Sequence, residues 1–271
     1  MTEQPKLAKK QQAILQLLYR FRFLNRIQIQ TLMGHKDPKT INLWLKDLRE
    51  KRYVEWIYST HFAEKTKPAI YYLSLNSVRH LRTLTRTIKD KDNASGVSPA
   101  YPPEELRKRY KEPTRTEVFI KRCLLIADCY IALQAKSDDR LHYNCVLLAD
   151  YADPDSEYYF LNELKPHLFF SKQRGDETTN YLMENFEQTL PRYQLSKRLK
   201  DYVDYLTYEW DEDDGPPLIA LLVCASVADL IYVKRRVRSL SEDKEDLQIR
   251  VTTLGKLKDS GITSMIWEDV F

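Results

Sequence analysis

The chain has 271 residues, among them 43 Lys and Arg, 39 Asp and Glu, four Cys and six Gly. At about 100 to 200 residues per domain, that length suggests two domains. No apolar run approaches the ~20 residues that a membrane-spanning helix needs, and Met1 to Lys10 is polar and basic with no apolar signal core behind it. The expectation is therefore a soluble, cytoplasmic protein without a membrane partner.

The net charge of +4 conceals an asymmetry: residues 1–90 hold 18 Lys and Arg against 7 Asp and Glu, a net +11, whereas residues 91–271 hold 25 against 32, a net −7. Such a division suggests a polyanion-binding module joined to a body that is not itself a general polyanion binder. Cys123, Cys129, Cys145 and Cys224 show no C-x-x-C spacing and the five histidines are scattered, which argues against a zinc site or a disulfide scaffold. The few glycines form neither G-x-G-x-x-G nor G-x-x-x-x-G-K, so a phosphate loop is excluded as a motif and no cofactor is expected.

In chain order, Ile14, Leu17, Leu18 and Phe21 recur at helical spacing and predict a first helix from Lys9 to Phe23. Asn25 is a favourable cap for a short second helix carrying Ile27, Ile29 and Leu32 and ending at Gly34. Asp37 followed by Pro38 marks the start of a third helix running to about Lys51. There Ile41, Trp44, Leu45 and Leu48 share one face, and Lys39, Asn42, Leu43 and Lys46 share another. Two strand-like runs, Tyr53–Thr60 and Pro68–Ser74, flank a polar, basic loop, and a further helix starts near Leu75 with Val78, Leu81 and Leu84 as its apolar stripe.

A helix triad followed by a basic-tipped hairpin resembles the winged helix-turn-helix family over about residues 8–87. The resemblance implies that the third helix enters the major groove of double-stranded DNA, where Lys39, Thr40, Asn42 and Lys46 would touch base edges or phosphates. Arg52, His61, Lys65 and Lys67 would lie beside the backbone or minor groove and supply salt-dependent affinity. Winged helices also serve as protein-interaction modules, and a scaffold of that kind is the alternative.

Residues 88–113 are rich in charge and proline and read as a linker. The Glu104–Lys111 stretch is compatible with a short helix, whose basic cluster of Arg107, Lys108, Arg109 and Lys111 is either solvated surface or an extension of a DNA footprint. Beyond it the pattern mixes helices and strands. A buried helix is expected at Thr116–Gln134, with strands at Leu141–Asp150, Tyr158–Leu164 and Tyr181–Phe186. Helices follow at Arg192–Tyr208 and Val227–Leu240, the nearly continuous apolar run Pro217–Ser226 reads as a strand buried on both faces, and the chain closes with Val251–Leu257 and an edge strand at Met265–Val270.

The segments Lys165-Pro166-His167, Met183-Glu184-Asn185-Phe186-Glu187-Gln188-Thr189 and Leu195-Ser196-Lys197-Arg198-Leu199-Lys200-Asp201-Tyr202 resemble the replication-relaxation family of plasmids, phages and mobile elements. That resemblance implies a division into a winged helix at 1–87, a linker at 88–113 and an α/β sandwich of the PD-(D/E)xK nuclease-like kind at 114–271, together α/β and α+β in class. The chain departs from the family pattern where His167 follows Pro166 in place of Asp, and where Phe186 stands in the Glu-x-Asp position after Glu184. A Mg²⁺-dependent nuclease needs hard carboxylate oxygens to hold the cation and activate water. Only Glu184, with Glu163 or Glu187, remains for that role, so the second domain is expected to be a degenerate nuclease used for homodimerisation or for binding a protein partner. A divergent Mg²⁺-dependent nuclease steered by the winged helix is the rival. The acidic stretch Asp150–Glu157 lacks the glycine and bidentate glutamate of a calcium loop, and the run Asp211–Asp214, ending in Gly215-Pro216, reads as a solvated turn.

Overall fold

The computed structural model describes residues 7–58, 66–91, 101–210, 215–241 and 247–271. They fall into two compact units, Met1–Ile131 with Ala152–Tyr159, and Ala132–Tyr151 with Phe160–Phe271.

The first unit begins with helix α1 (Lys9–Phe21), the short strand β1 (Leu24–Asn25), α2 (Arg26–Leu32) and α3 (Pro38–Glu50), followed by strands β2 (Val54–Ile57) and β3 (Ile70–Leu73) and helix α4 (Leu75–Lys91). The strands pair in the order β1-β3-β2, all antiparallel. Helix, strand, helix, helix and a hairpin closing on the first strand is the winged helix-turn-helix arrangement that the sequence pattern implied. The core gathers Ile14, Leu15 and Leu18 of α1, Ile29 of α2, Ile41, Leu45 and Leu48 of α3, and Leu73, Val78 and Leu81. Leu15 is buried where the helical spacing favoured Leu17, which is half-buried, and Ile27 is exposed.

Local chemistry sets the helix-turn-helix. Asn25 Oδ1 accepts from the Gln28 backbone N–H at 2.9 Å, while Gln28 Oε1 accepts from the Asn25 N–H at 3.0 Å, a reciprocal capping box that satisfies two amides the helix itself leaves unpaired. Gln28 Nε2 then donates to Leu124 O at 2.9 Å and to Asp128 Oδ1 at 2.7 Å, so the cap of α2 is also its tether to a later helix. Gly34 has φ +60, the left-handed turn needed between α2 and α3 and one a Cβ resists. Asn25→Ala is expected to lower the stability of this unit by about 0.5 to 2 kcal/mol, as loss of a cap does, measured by urea unfolding; a wild-type midpoint would remove the cap from the account.

Residues 101–113, within the stretch read as a linker, are built differently. Helix α5 (Pro103–Arg109) and a 3₁₀ turn at Glu112–Thr114 bury Tyr101, Leu106, Arg109 and Glu112. Arg109, 2% exposed, donates from Nη2 and Nε to Tyr19 O at 2.8 and 3.2 Å and lies over the Tyr19 ring, and Glu112 accepts from Arg22 at 2.7 and 3.1 Å. Arg109 is thus internal, not part of a basic surface, because α1 offers it the Tyr19 carbonyl and an aromatic face. Helix α6 (Glu117–Lys136) starts in this unit, where Ile120 and Cys123 pack on Phe23.

The second unit is a six-stranded sheet in the order β4-β5-β6-β7-β8-β9, formed by β4 (Leu141–Val146), β5 (Leu168–Arg174), β6 (Glu177–Asn185), β7 (Leu218–Cys224), β8 (Ile249–Thr253) and β9 (Glu268–Asp269). β4, β5 and β6 are antiparallel, β6, β7 and β8 are parallel, and β9 is antiparallel to β8. Helices α7 (Leu148–Tyr151), α8 (Arg192–Asp204), α9 (Val227–Leu240) and α10 (Leu254–Ser260) complete it. The α6 end, three antiparallel strands, α8 and a parallel strand follow one another in a mixed α/β unit. All seven residues of β7 are buried, in accord with the apolar run that marked it as a central strand.

Tyr158–Leu164 is not a strand but contains a 3₁₀ turn, Tyr159–Asn162, and the strand neighbouring β4 is instead β5. The helix expected over Arg192–Tyr208 is present, α-helical to Asp204 and π-helical over Tyr205–Glu209. The four cysteines are buried and unbridged, and burial pushes the Cys123 thiol up to about 11 and the Cys224 thiol to about 12, leaving them protonated and unreactive at neutral pH.

Candidate functional site

In the first unit, α3 is divided lengthwise. Ile41, Leu45 and Leu48 are at most 1% exposed, while Lys39, Asn42, Leu43 and Lys46 on the opposite side are open to solvent. The helix is capped by Asp37, whose carboxylate accepts from the Lys39 and Thr40 amides at 2.9 and 3.0 Å and from Thr40 Oγ1 at 2.6 Å. Thr40 therefore spends its hydroxyl proton on the cap, and its remaining lone pairs are what it offers outward. The Thr40 hydroxyl and the backbone amides hold the Asp37 carboxyl below its usual range. Lys46 reaches Glu50 at 3.8 Å, an exposed pair that constrains it little.

Arg52 follows α3 with φ 59, its carbonyl accepting from Ser74 Oγ at 2.6 Å, so its side chain leaves an exposed, left-handed corner between α3 and β2. Lys67 is exposed just before β3, whereas His61 and Lys65 lie outside the described residues. Sequence reasoning passed over Arg49, Trp56 and Tyr58. Arg49 lies 3.4 Å from the centroid of the Trp56 ring, which stacks on Tyr58 at 5.4 Å and 14°, an exposed aromatic strip next to the C-terminal turn of α3. The signal was the i, i+2 spacing of Trp56 and Tyr58, two large aromatics exposed at and just beyond the end of β2.

In the second unit, Glu184 sits on β6 at 6% exposure. Its Oε2 accepts from Arg198 Nη2 at 3.0 Å and Tyr202 Oη at 2.9 Å, and its Oε1 from Arg198 Nε at 3.4 Å. Both donors come from α8, four residues apart and so on one helix face. Arg198 also donates to Leu164 O at 2.6 Å and Lys165 O at 3.1 Å, which ties it to the turn where Lys165 adopts φ 54 and Tyr151 Oη donates to Pro166 O at 2.8 Å.

His167 lies one register step beyond the Leu168–Met183 pair, opposite Glu184, with Nδ1 3.6 Å from the carboxylate. The Asn185 N–H donates to that same Nδ1 at 3.0 Å, so the nitrogen carries a lone pair and the ring proton resides on Nε2. Burial alone would raise the Glu184 carboxyl. The His167 ring, the Arg198 guanidinium and the hydrogen bonds from Arg198 and Tyr202 outweigh it and hold the group below its usual 4.5. Burial pushes the Tyr202 phenol well above 10.

This arrangement does not fit a divalent cation. Both oxygens of Glu184 face a guanidinium and a phenol, Glu163 is exposed, and a metal ion would have to displace Arg198 from the one buried carboxylate. Among the described residues, no three His, Cys, Asp or Glu side chains come together to hold a metal.

Residues 15–219 match the replication-relaxation family. The chain belongs to that family. Both the winged helix from Ile14 onward and the Glu184 site of this replication-relaxation protein fall within or beside the matched span. A search of curated proteins gives no match. Among solved structures, the chain is similar to a zinc-responsive MarR family member, ZitR of Lactococcus lactis, at 16% identity and a TM-score of 0.25, covering 42% of this chain and 77% of that one. It is also similar to the restriction endonuclease FokI at 13% identity, and to FokI bound to DNA at 12%, each with a TM-score of 0.33 and 93% of this chain covered. The chain spans under half the length of those FokI chains, 43% and 44%. No helix among the described residues is long and apolar enough to cross a membrane.

Proposed function

We propose that this replication-relaxation protein binds double-stranded DNA through α3 and uses its second unit as a nuclease-like scaffold without a metal centre. The observation that carries the DNA reading is the exposed face of α3, where Lys39, Asn42 and Lys46 stand opposite a fully buried stripe within a segment of net charge +11. Lysines supply phosphate neutralisation, Asn42 supplies the donor and acceptor pair that adenine presents in the major groove, and exposed Leu43 supplies an apolar surface for a thymine methyl. In the second unit the Glu184–Arg198–Tyr202 cluster takes the place that carboxylates would need for Mg²⁺ chemistry. The scaffold then serves homodimerisation or a protein partner, and the protein controls transcription or replication of a mobile element or its host, or recruits machinery to it.

Selection of bound duplexes from a random library by the purified protein, at about physiological salt where non-specific binding is weakened, tests this. Recovery of a defined site is the expected result, and two copies of it about one helical turn apart would identify a dimer. Recovery of no motif would overturn sequence reading by α3. Cleavage of the selected duplex that depends on Mg²⁺ would overturn the scaffold reading of the second unit.

A further inference from the structure

The six-stranded sheet has two faces, and the Glu184 cluster occupies one of them. Tyr181 and Glu184 are three positions apart on β6 and so project to opposite sides. On the Tyr181 side is a cavity of about 370 Å³, within the range of roughly 300 to 1,000 Å³ usual for small-molecule sites. Leu133 of α6 and the 262–267 segment enclose it over β5, β6, β7 and β8.

The floor of this cavity is aromatic. Phe170 and Tyr181, paired across β5 and β6, stack with centroids 4.7 Å apart at 11°, and Tyr143 leans on Phe170 at 6.1 Å. At the rim, Trp267 is fixed by donation from Nε1 to Ile262 O at 3.0 Å. The charge of the lining has a single sign, since Lys172 and Arg250 contribute to it and no Asp or Glu does. Arg250 is anchored through Nε to Asp269 Oδ1 at 2.8 Å, which leaves its terminal nitrogens to face elsewhere. Lys172 makes no ion pair among the described residues.

Lys172 on β5 and Arg250 on β8 are three strand spacings apart, about 14 Å at ~4.8 Å each, so they flank the aromatic floor from two sides. A neutral apolar ligand would leave the Lys172 head and the terminal nitrogens of Arg250 unengaged beside it, and an inorganic anion would leave the aromatic floor unfilled. A planar ring with an anionic group at its edge satisfies both features, its face on the aromatic walls and its charge at a lysine or arginine head. We propose that this cavity binds a small aromatic anion, a flat ring bearing a carboxylate or a phosphate, on the sheet face away from Glu184. The proposal is independent of the DNA reading.

Calorimetric titration of the full chain with 1-naphthoate, adenosine 5′-monophosphate, uncharged 1-naphthamide and inorganic phosphate tests it. Saturable binding of naphthoate or of the nucleotide, with a Kd at or below about 1 mM, is expected. The tighter of the two identifies the anionic group as carboxylate or phosphate. Lys172→Gln or Arg250→Gln is expected to weaken that binding about ten-fold. Thr263→Trp, which fills the cavity from an exposed rim position and leaves the core intact, is expected to abolish it with an unchanged melting curve. Absence of saturable binding by both aromatic anions would overturn the proposal. So would naphthamide or phosphate binding as tightly as the aromatic anions, or full affinity retained in both charge variants and in Thr263→Trp.

Discussion

Glu184→Ala is expected to destabilise the second unit by about 3 to 5 kcal/mol, the usual cost of removing one partner from a buried ion pair. The side chain of Glu184 is 8% exposed and that of Arg198 23%, so the guanidinium left behind has little water to replace the carboxylate. Tyr202 also loses its acceptor, at a position that is fully buried. Replacing both partners, Glu184→Leu with Arg198→Met, is expected to recover most of the loss, because no unpaired charge then remains inside. Urea unfolding followed by circular dichroism checks both. An Ala variant as stable as wild type would show that the cluster is not structural and would restore Glu184 as a candidate metal ligand.

The same cluster fixes a dependence on pH. The folded state holds the Glu184 carboxyl below 4.5, so the unfolded chain binds the proton more readily. The stabilisation is therefore fully present above 4.5 and is lost as pH falls through the lower, folded value. Wild type is expected to lose stability in that acid window more steeply than the Glu184→Leu, Arg198→Met double variant. Parallel pH profiles would rule out this carboxyl as the source.

What the sequence disclosed was local, and what it hid was tertiary. Asp37-Pro38, Asn25 with Gln28, and Gly34 bound their helices by short-range chemistry, so α2 and α3 fall within a residue or two of their expected ends. The unbroken apolar run of β7 marked a central strand because both of its faces are covered. β5 escaped notice because Leu168-Phe169-Phe170 is buried and Ser171-Lys172-Gln173-Arg174 is not, a gradient along the strand with no alternation of period two. Tyr158–Leu164 carries strand-forming aromatics, yet it leads into the left-handed Lys165 before Pro166, and the chain turns there instead of pairing. Glu184 was recognisable as a singular carboxylate. Its partner Arg198 sits fourteen residues away on another element, and nothing in a one-dimensional pattern joins them. Arg109 shows the same limit, a cation in a basic run that is in fact one of the largest fully buried side chains.

On the DNA face, Asn42→Ala and Lys39→Ala or Lys46→Ala are expected to act differently, and the contrast is the test of α3 as a reading helix. Asn42 is exposed between two lysines and is free to present its carboxamide edge to adenine, so its loss should remove about 1 to 3 kcal/mol of discrimination at one base position. Binding to unrelated duplexes should change little. The lysines neutralise phosphates, and the 3.8 Å pairing of Lys46 with Glu50 is exposed enough to be exchanged for a phosphate without penalty. Removing either one should weaken every duplex alike and reduce the slope of log affinity against log salt by about 0.9 for each phosphate that is no longer neutralised. Affinities for the selected site and for a scrambled duplex, each measured across a salt series, separate the two effects. Should Asn42→Ala and Lys46→Ala shift both duplexes equally, α3 would be binding backbone alone, and the specificity would have to come from the wing or from the exposed Arg49–Trp56–Tyr58 strip beside it.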